Sequence, residues 1–198
     1  MKHRNKLLAL AALSIAAVYP AAPALASSAL DSVNVSTEAD LSAFTKIYIA
    51  PVEVELKDRF RRNLRDVGAP RPVSERDQAK KAEDSHEYFV RAFSKKYEVV
   101  DEPGEGILTV EPIITRLEST RPTSADYEEV PSLSPFSIYA GGADYRVRLK
   151  TGETLLTEIS EKYRTDLFDG QPRNGIWTDF EYASRRMASK LIKHIKKN

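Results

Sequence analysis

Apolar and polar residues alternate most regularly between residues 143 and 168. The first part has one apolar face, formed by Ala143, Tyr145, Val147 and Leu149. Gly152 then interrupts the pattern at a point where a tight turn needs a residue free to adopt positive φ. The second part resumes the alternation, with one face formed by Leu155, Thr157, Ile159, Tyr163 and Leu167, and with Leu156 on the opposite face. A period of two predicts an antiparallel hairpin with one solvated face.

Two segments carry apolar residues at the three- and four-residue spacing of a helix. The first begins at Ser74, and Asp77 three residues later resembles a capping box; its stripe is Ala79, Ala82, His86, Phe89 and Phe93. The second begins at Thr178, with Glu181 as capping-box partner; its stripe is Phe180, Ala183, Met187, Leu191 and Ile195. We expect one shared core that contains Phe89, Phe93, Val147, Ile159, Met187 and Leu191.

Three further apolar stretches predict strands, at residues 44–54, 97–100 and 107–118. Pro51 marks an end, a bulge or an edge of the first, because proline cannot donate a ladder hydrogen bond. Pro112 requires a bulge or an edge position in the third for the same reason. The order of elements predicts an α/β (α+β) fold, a two-layer sandwich with a mixed sheet of about five strands and two main helices on one face.

The N-terminus has the order of a secretory signal peptide. Basic residues precede an apolar run over residues 7–18, and the small residues of Ala24-Leu25-Ala26 follow it. A run of 12 residues is shorter than the roughly 20 that span a bilayer, which favours cleavage near Ala26 over an uncleaved membrane anchor. We therefore expect a signal peptide at residues 1–26, a flexible tether at 27–43 and a single α/β domain at 44–198.

The amino-acid composition and the net charge exclude several classes of functional site and partner. Hydrophobic residues make 41% of the chain and charged residues 30%, which is typical of a globular protein. The absence of Cys excludes disulfides, a lipobox cysteine, a cysteine-ligated metal and a cysteine nucleophile. Without residues 1–26 the chain has 27 basic and 29 acidic residues, a net charge of −2. We expect no nucleic-acid partner, no cofactor or metal, no transmembrane segment in the mature chain, and a periplasmic or secreted location that includes the periphery of the outer membrane.

Three motifs, taken in order, resemble a known family. They are residues 47–52 (IYIAPV), residues 104–110 (GEGILTV), and residues 141–143 (GGA) leading to 151–155 (TGETL), with a helix that starts at Trp177. From Phe44 to the C-terminus the chain resembles a bacterial envelope family known only as a domain of unknown function, many of whose members are predicted lipoproteins. The layout is also similar to the TolB amino-terminal domain. The resemblance implies an envelope accessory protein and supplies no catalytic residues; the missing lipobox cysteine departs from the family.

Residues 119–142 are the first candidate for binding. They form the longest stretch without periodicity, which is uncommon inside a compact domain, and they carry the aromatic residues Tyr127, Phe136 and Tyr139. Rigid aromatic side chains on an exposed loop are common binding anchors. The alternative is that they fold back over the open face of the sheet as its lid.

Basic segments are the second candidate. Residues 57–76 carry a net charge of +4 and include Arg59, Arg61 and Arg62, and residues 185–198 carry six basic residues and no acidic one. Such segments bind anionic lipid or glycan phosphate in an envelope. The alternative is that they are solvated faces whose local ion pairs contribute little.

The sequence contains no recognisable catalytic motif. His86 has no second His four residues later, as a helical metal site needs, so we expect a core or boundary histidine, and we expect His194 at the surface. The carboxylate pairs with glycosidase-like spacing are Glu53 with Glu55 and Glu128 with Glu129. We predict a non-enzymatic, envelope-associated binding or accessory protein whose partner is an envelope protein or an anionic envelope component; the alternative is a secreted hydrolase that uses a carboxylate pair. The sequence does not define the oligomeric state.

Overall fold

The computed structural model describes residues 30–56, 73–134, 141–165 and 175–198. Within these ranges seven strands form one sheet, together with three α-helices and a 3₁₀ turn at Leu41–Ala43. The strands are β1 (Ser32–Val35), β2 (Lys46–Ile49), β3 (Glu53–Val54), β4 (Glu98–Val100), β5 (Leu108–Glu118), β6 (Gly142–Thr151) and β7 (Thr154–Arg164). The helices are α1 (Glu75–Phe93), α2 (Ser124–Glu129) and α3 (Thr178–Lys197).

The sheet is mixed, with the strand order β1-β7-β6-β5-β2-β4 and with β3 paired to β5. The chain crosses from β2 through α1 to the parallel strand β4, and β5 is parallel to β2 on its other side. Strands β5, β6 and β7 are antiparallel, and β1 joins β7 antiparallel at the edge. The predicted α/β fold is therefore confirmed. The described sheet has seven strands rather than about five because β1 was not expected and the first predicted strand is divided into β2 and β3.

The expectation of a flexible tether over residues 27–43 is wrong for Ser32–Val35, which forms β1 along β7. The side chain of Asp31 accepts a hydrogen bond from the Lys162 backbone N–H at 2.7 Å, and the Asp31 N–H donates to the Glu161 carboxylate at 3.2 Å. Leu41, in the 3₁₀ turn, is buried in the core. These contacts hold residues 31–41 against the domain.

Pro112 lies in a central strand and pairs with Val147, and the register shift of this strand lies further on, between Ile114 and Arg116, so the expected bulge or edge position of Pro112 is wrong. The N–H groups of Ala50 and Glu55 donate to the carbonyls of Val110 and Ile114 in β5. The even-numbered residues of β5 therefore direct their backbone groups toward β2 and β3, and Pro112 faces the break between those two strands. The proline lacks an N–H at the point where the neighbouring ladder is interrupted. A proline is tolerated here because its missing N–H therefore removes no hydrogen bond from the ladder.

The predicted hairpin is confirmed, with Gly152 at φ +54° in its turn. One residue of it differs from the expectation. Leu149 pairs with Thr157, and Lys150 pairs with Leu155, so Leu156 is an extra residue that forms a bulge. The bulge turns Leu156 into the core and leaves Leu155 half-buried, opposite to the simple alternation.

Helix α1 begins as predicted, because the Ser74 hydroxyl accepts a hydrogen bond from the Asp77 N–H at 3.1 Å. Helix α3 begins at Thr178, but the predicted capping box with Glu181 is wrong. The Thr178 hydroxyl instead donates to the Gly175 carbonyl at 3.0 Å, while Glu181 pairs with Arg185. The six expected core residues all lie in one hydrophobic cluster that joins both helices to the sheet.

Residues 119–142, expected to lack regular structure, contain α2 and the first residue of β6. Helix α2 is preceded by a capping box that periodicity did not indicate. The Thr123 backbone N–H and hydroxyl both donate to the Asp126 carboxylate, at 2.6 and 2.7 Å. Asp126 is almost fully buried, so the hydrogen bonds that begin this short helix are shielded from water.

Candidate functional site: a cationic groove between the helices

Helices α1 and α3 lie side by side and run in the same direction. Near their first turns, the Lys81 ammonium lies 5.4 Å from the Trp177 ring centroid. About two turns later, the Arg185 guanidinium lies 4.9 Å from the centroid of the Tyr88 ring. Both helices therefore end at the same side of the molecule, where their last turns bring basic residues together.

Between these helices, on the side away from the sheet, lies a groove of about 650 Å³. Its walls consist of basic residues: Arg91 of α1, Lys95 and Lys96 in the turn after α1, and Arg185, Lys193 and Lys196 of α3. Its floor consists of Tyr88, Ala92 and Ile192, which are half-buried against the core, with Ser189 beside them. We call this surface the cationic groove, and no carboxylate of the described residues lines it.

The two ends of the cationic groove differ in charge. At the end near Tyr88, the Arg185 guanidinium is paired with the Glu181 carboxylate at 3.5 Å. Along the rest of the groove, no ion pair joins a wall cation to a carboxylate of the described residues. The positive charge is therefore concentrated toward the C-terminal ends of the helices, where the helix dipole also favours cations.

A second cavity of about 540 Å³ adjoins the cationic groove at this charged end. Three lysines line both cavities: Lys95, Lys96 and Lys196. The second cavity adds the aromatic residues Phe44 and Tyr97 and a single carboxylate, Glu98. Glu98 is partly neutralised, because its carboxylate pairs with the Lys46 ammonium at 3.2 Å.

Buried hydroxyl groups fix the helices beneath the groove. The Tyr145 hydroxyl of β6 lies 2.9 Å from the Ser85 hydroxyl of α1 and 2.6 Å from the Ser184 hydroxyl of α3. Ser184 in turn donates to the Phe180 carbonyl at 2.9 Å. Burial raises the pKa of Tyr145 to about 12, so its hydroxyl stays neutral. One tyrosine thus sets the separation of the two groove walls.

A buried ionic cluster ties α3 to the edge of the sheet. The Glu161 carboxylate of β7, 3% exposed at its side chain, lies 2.5 Å from the Lys190 ammonium and 3.3 Å from the Arg186 guanidinium. The Asp31 N–H also donates to this carboxylate. Two of the basic residues of the segment 185–198 therefore serve the fold and do not line the groove.

The aromatic residues predicted as binding anchors are only partly within the described structure. Tyr127 lies on α2 and is half-buried. Phe136 and Tyr139 lie outside the described residues, as do Arg59, Arg61 and Arg62 of the predicted basic segment. Binding by these residues stays a prediction.

Two histidines, His86 and His194, lie in the described residues, and both are half-buried. His86 is half-buried, and its Nε2 lies 3.1 Å from the Ile49 carbonyl, which confirms a boundary histidine. His194 is also half-buried, so its expected surface position is wrong. Burial lowers the pKa of His194, and the nearby Lys197 lowers it further.

The predicted carboxylate pairs do not form a catalytic cleft in the part that the structure describes. Glu53 and Glu55 are exposed, and the Glu55 carboxylate pairs with the Arg146 guanidinium of β6. Glu128 is exposed on α2, and the side chain of Glu129 lies outside the described residues. Among the described residues, no group of three or more His, Asp or Glu side chains is placed to hold a metal ion.

None of the predicted binding residues Tyr127, Arg59, Arg61, Arg62, Phe136 and Tyr139 is among the described residues that line the cationic groove. The excess of basic residues in 185–198 was evident, and the structure places Arg185, Lys193 and Lys196 of this segment in the α3 wall. The α1 wall, with Lys95 and Lys96, was missed because these lysines follow the end of the apolar stripe. The available signal was that α1 and α3 both finish in basic residues, but only the parallel packing brings the two ends together.

The chain was compared with known proteins. Solved structures with a similar arrangement include PelC, a dodecamer from Paraburkholderia phytofirmans, at 7% identity and a TM-score of 0.45 over 81% of this chain and 96% of PelC. The DUF330 protein XCC0632 from Xanthomonas campestris is 13% identical, with a TM-score of 0.38 over 81% of this chain and 90% of its own. The DUF4136 protein BT2437 from Bacteroides thetaiotaomicron is 10% identical, with a TM-score of 0.40 over 84% of this chain and 97% of its own. No curated protein matches the chain.

None of the helices in the described ranges has the length and apolar character needed to cross a membrane. The expected membership of a family known only as a domain of unknown function is confirmed by a family model. That model, described as Protein of unknown function (DUF3313), matches residues 24–160, more than two thirds of the sequence. The chain therefore belongs to the DUF3313 family.

Proposed function

We propose that this protein is an exported, non-enzymatic module of the bacterial envelope that binds an anionic envelope component through the cationic groove. The observation that carries the proposal is the groove itself: six basic side chains from α3, from α1 and from the turn after α1 line one concavity, and no carboxylate of the described residues lines it. Phosphate-bearing lipids and glycans of an envelope supply the complementary charge. Each basic residue near an anionic surface contributes about 1 kcal/mol to such binding.

The envelope location rests on the charged, apolar and small-residue order of residues 1–26. We expect export and cleavage near Ala26. N-terminal sequencing of the native protein tests this, with Ser27 as the expected first residue. A native protein that retains Met1 and stays in the cytosol contradicts the envelope role.

Binding to vesicles tests the groove directly. The protein without residues 1–26 is sedimented with vesicles of phosphatidylglycerol and phosphatidylcholine, and separately with vesicles of phosphatidylcholine alone. Retention on immobilised dextran sulfate tests anions that carry no lipid. We expect binding to the anionic probes and none to pure phosphatidylcholine.

A matched pair of variants locates this binding. Lys95→Gln with Lys193→Gln removes one cation from each wall of the groove. Lys80→Gln with Lys162→Gln removes two exposed cations outside it, with the same change in net charge. Two lost contacts of about 1 kcal/mol each predict a loss of roughly 30-fold for the groove variant and little change for the control. Equal losses in both variants would mean that the groove is not the binding site.

No observation in the described residues favours the alternative of a hydrolase that uses a carboxylate pair. No carboxylate of the described residues lines the cationic groove, and among them Glu98 is the single carboxylate that lines the adjoining cavity. Two carboxylates across one cleft, which glycoside hydrolysis needs, are not brought together there. The aromatic residues Tyr127, Phe136 and Tyr139 remain a predicted contact for an envelope protein.

A further inference from the structure

We infer that the occupant of the cationic groove is a single-chain anionic amphiphile, with its alkyl chain on the groove floor and its phosphate-type head among the lysines at the charged end. This inference rests on the proposed function and names the class of ligand. It follows from the shape, the lining and the polarity of the groove.

The floor of the groove suits an alkyl chain. Tyr88, Ala92 and Ile192 are half-buried and pack against the hydrophobic core, so the floor is an extension of apolar surface. The methylene stems of the flanking lysines and arginines add apolar area while their charged ends stay in water. Along α3 the groove extends from Arg185 to Lys196, which is about 16 Å at 1.5 Å per residue. Its volume of about 650 Å³ lies within the usual range of small-molecule sites.

The same lining does not suit a glycan strand. Among the described residues that line the groove, the hydroxyl groups of Ser189 and Tyr88 are the neutral polar groups, and no carboxylate or carboxamide is present to hydrogen-bond sugar hydroxyls. Tyr88 is also the one aromatic residue among them, and the Arg185 guanidinium lies over its ring at 4.9 Å. A sugar ring therefore has no open aromatic face on which to stack.

The distribution of charge gives the bound molecule a direction. At one end, Arg185 is engaged by Tyr88 and by the Glu181 carboxylate. At the other end, Lys95 and Lys96 of the turn after α1 line the same concavity as Lys196 of α3. Cations on two sides of a concavity enclose one head group, whereas a flat bilayer surface meets only the rims. The head is therefore placed at the lysine end and the chain tail toward Tyr88.

Three probes separate the head group from the chain. Isothermal titration of the protein without residues 1–26 is carried out with decyl phosphate, with decyl maltoside, and with inorganic phosphate, each below any micelle-forming concentration. Decyl phosphate has both features, decyl maltoside has the chain with a neutral head, and phosphate has no chain. We expect one decyl phosphate per protein molecule, bound at least 10-fold more tightly than either other probe.

Substitution of the floor tests the position of the chain. Ala92→Trp fills the groove floor, and Ala79→Trp adds the same side chain at an exposed position of the same helix. We expect Ala92→Trp to weaken decyl phosphate at least 10-fold while retention on dextran sulfate is kept, and Ala79→Trp to behave as wild type. Ile192→Ser, which makes the floor polar without adding volume, provides the same test should Ala92→Trp not fold.

The outcomes distinguish the two proposals. If decyl phosphate binds no better than inorganic phosphate, or if both floor variants bind it as Ala79→Trp does, the inference is overturned while anionic binding at the groove stands. If no anionic probe binds, or the Lys95→Gln, Lys193→Gln variant binds all of them normally, the proposed function fails with it.

Discussion

At the scale of single residues, the buried hydroxyl groups of Tyr145 and Tyr97 differ in their hydrogen bonding. The Tyr145 hydroxyl bridges Ser85 and Ser184, one from each helix that forms the groove. The Tyr97 hydroxyl is also buried, but the described residues provide it with no hydrogen-bond partner. Burying a hydroxyl is costly unless it is hydrogen-bonded. The first group is therefore expected to stabilise the fold, and the second to oppose it.

We predict that Tyr145→Phe lowers the free energy of unfolding by about 1–3 kcal/mol, because the change leaves two buried serine hydroxyls with fewer partners. Tyr97→Phe removes the same atom from a site without a partner, so we expect no loss or a small gain in stability. Urea unfolding of both variants measures the difference. A loss in Tyr97→Phe equal to that in Tyr145→Phe would contradict the role given to the hydroxyl bridge.

At the scale of elements, the starts of β6 and α3 and the end of β7 meet at one tightly packed point. Thr165, after β7, donates its hydroxyl hydrogen to the buried Asp179 carboxylate of α3 at 2.6 Å. Gly141, before β6, lies between them: a Cβ atom there would be 2.5 Å from the Thr120 methyl carbon and 2.9 Å from an Asp179 carboxylate oxygen. Only a glycine at position 141 allows these three segments to pack so closely together.

We predict that Gly141→Ala destabilises the domain by about 1–3 kcal/mol, as overpacking does in a well-packed interior. Gly175→Ala is the matched control, since its Cβ would meet the Thr178 hydroxyl at an ordinary 3.5 Å. Thermal unfolding of the two variants is the measurement. Tolerance of Gly141→Ala would show that β6 and α3 can separate here, and that the first turn of α3 is not held as the structure has it.

How far the sequence predicts these elements depends on the range of the interactions involved. The stripes of α1 and α3 and the alternation of β6 follow local periodicity, and they were predicted. The bulge at Leu156 was not, because a single extra residue is fixed by pairing with β6 and not by the pattern of β7 itself. Lys81 was also missed: it is buried beside Trp177 and paired with Asp84, and neither contact is visible along the apolar stripe.

The candidate site also depends on both local sequence and long-range packing. The basic character of residues 185–198 was readable from composition, but two of those residues, Arg186 and Lys190, are bound to Glu161 inside the fold. The groove exists only because the crossover and the final helix place α1 and α3 parallel on one face. Charge segregation along a sequence therefore predicts a binding surface less well than the arrangement of the helices that carry it.

At the scale of the whole molecule, the charge of the groove is opposite in sign to the charge of the expected mature protein. Without residues 1–26 the chain carries 27 basic and 29 acidic residues, a net charge of −2, whereas the groove walls carry six basic residues. These two charges predict opposite effects of salt on binding to an anionic surface. If the net charge governs the encounter with an anionic surface, salt screens a repulsion and strengthens binding; if the groove governs it, salt screens an attraction and weakens binding.

We predict that binding to phosphatidylglycerol vesicles weakens steadily as sodium chloride rises, because the groove cations act within a screening length that falls from about 10 Å at 0.1 M to about 3 Å at 1 M. The Lys95→Gln, Lys193→Gln variant has two fewer cations at the surface, so its affinity should fall less steeply with salt than that of the wild type. The Lys80→Gln, Lys162→Gln variant, with the same net charge, should keep the wild-type slope. Sedimentation at four or more salt concentrations gives the three slopes. Binding that strengthens with salt, or a single slope for all three proteins, would place the attraction outside the groove and leave the parallel helix ends without the binding role assigned to them.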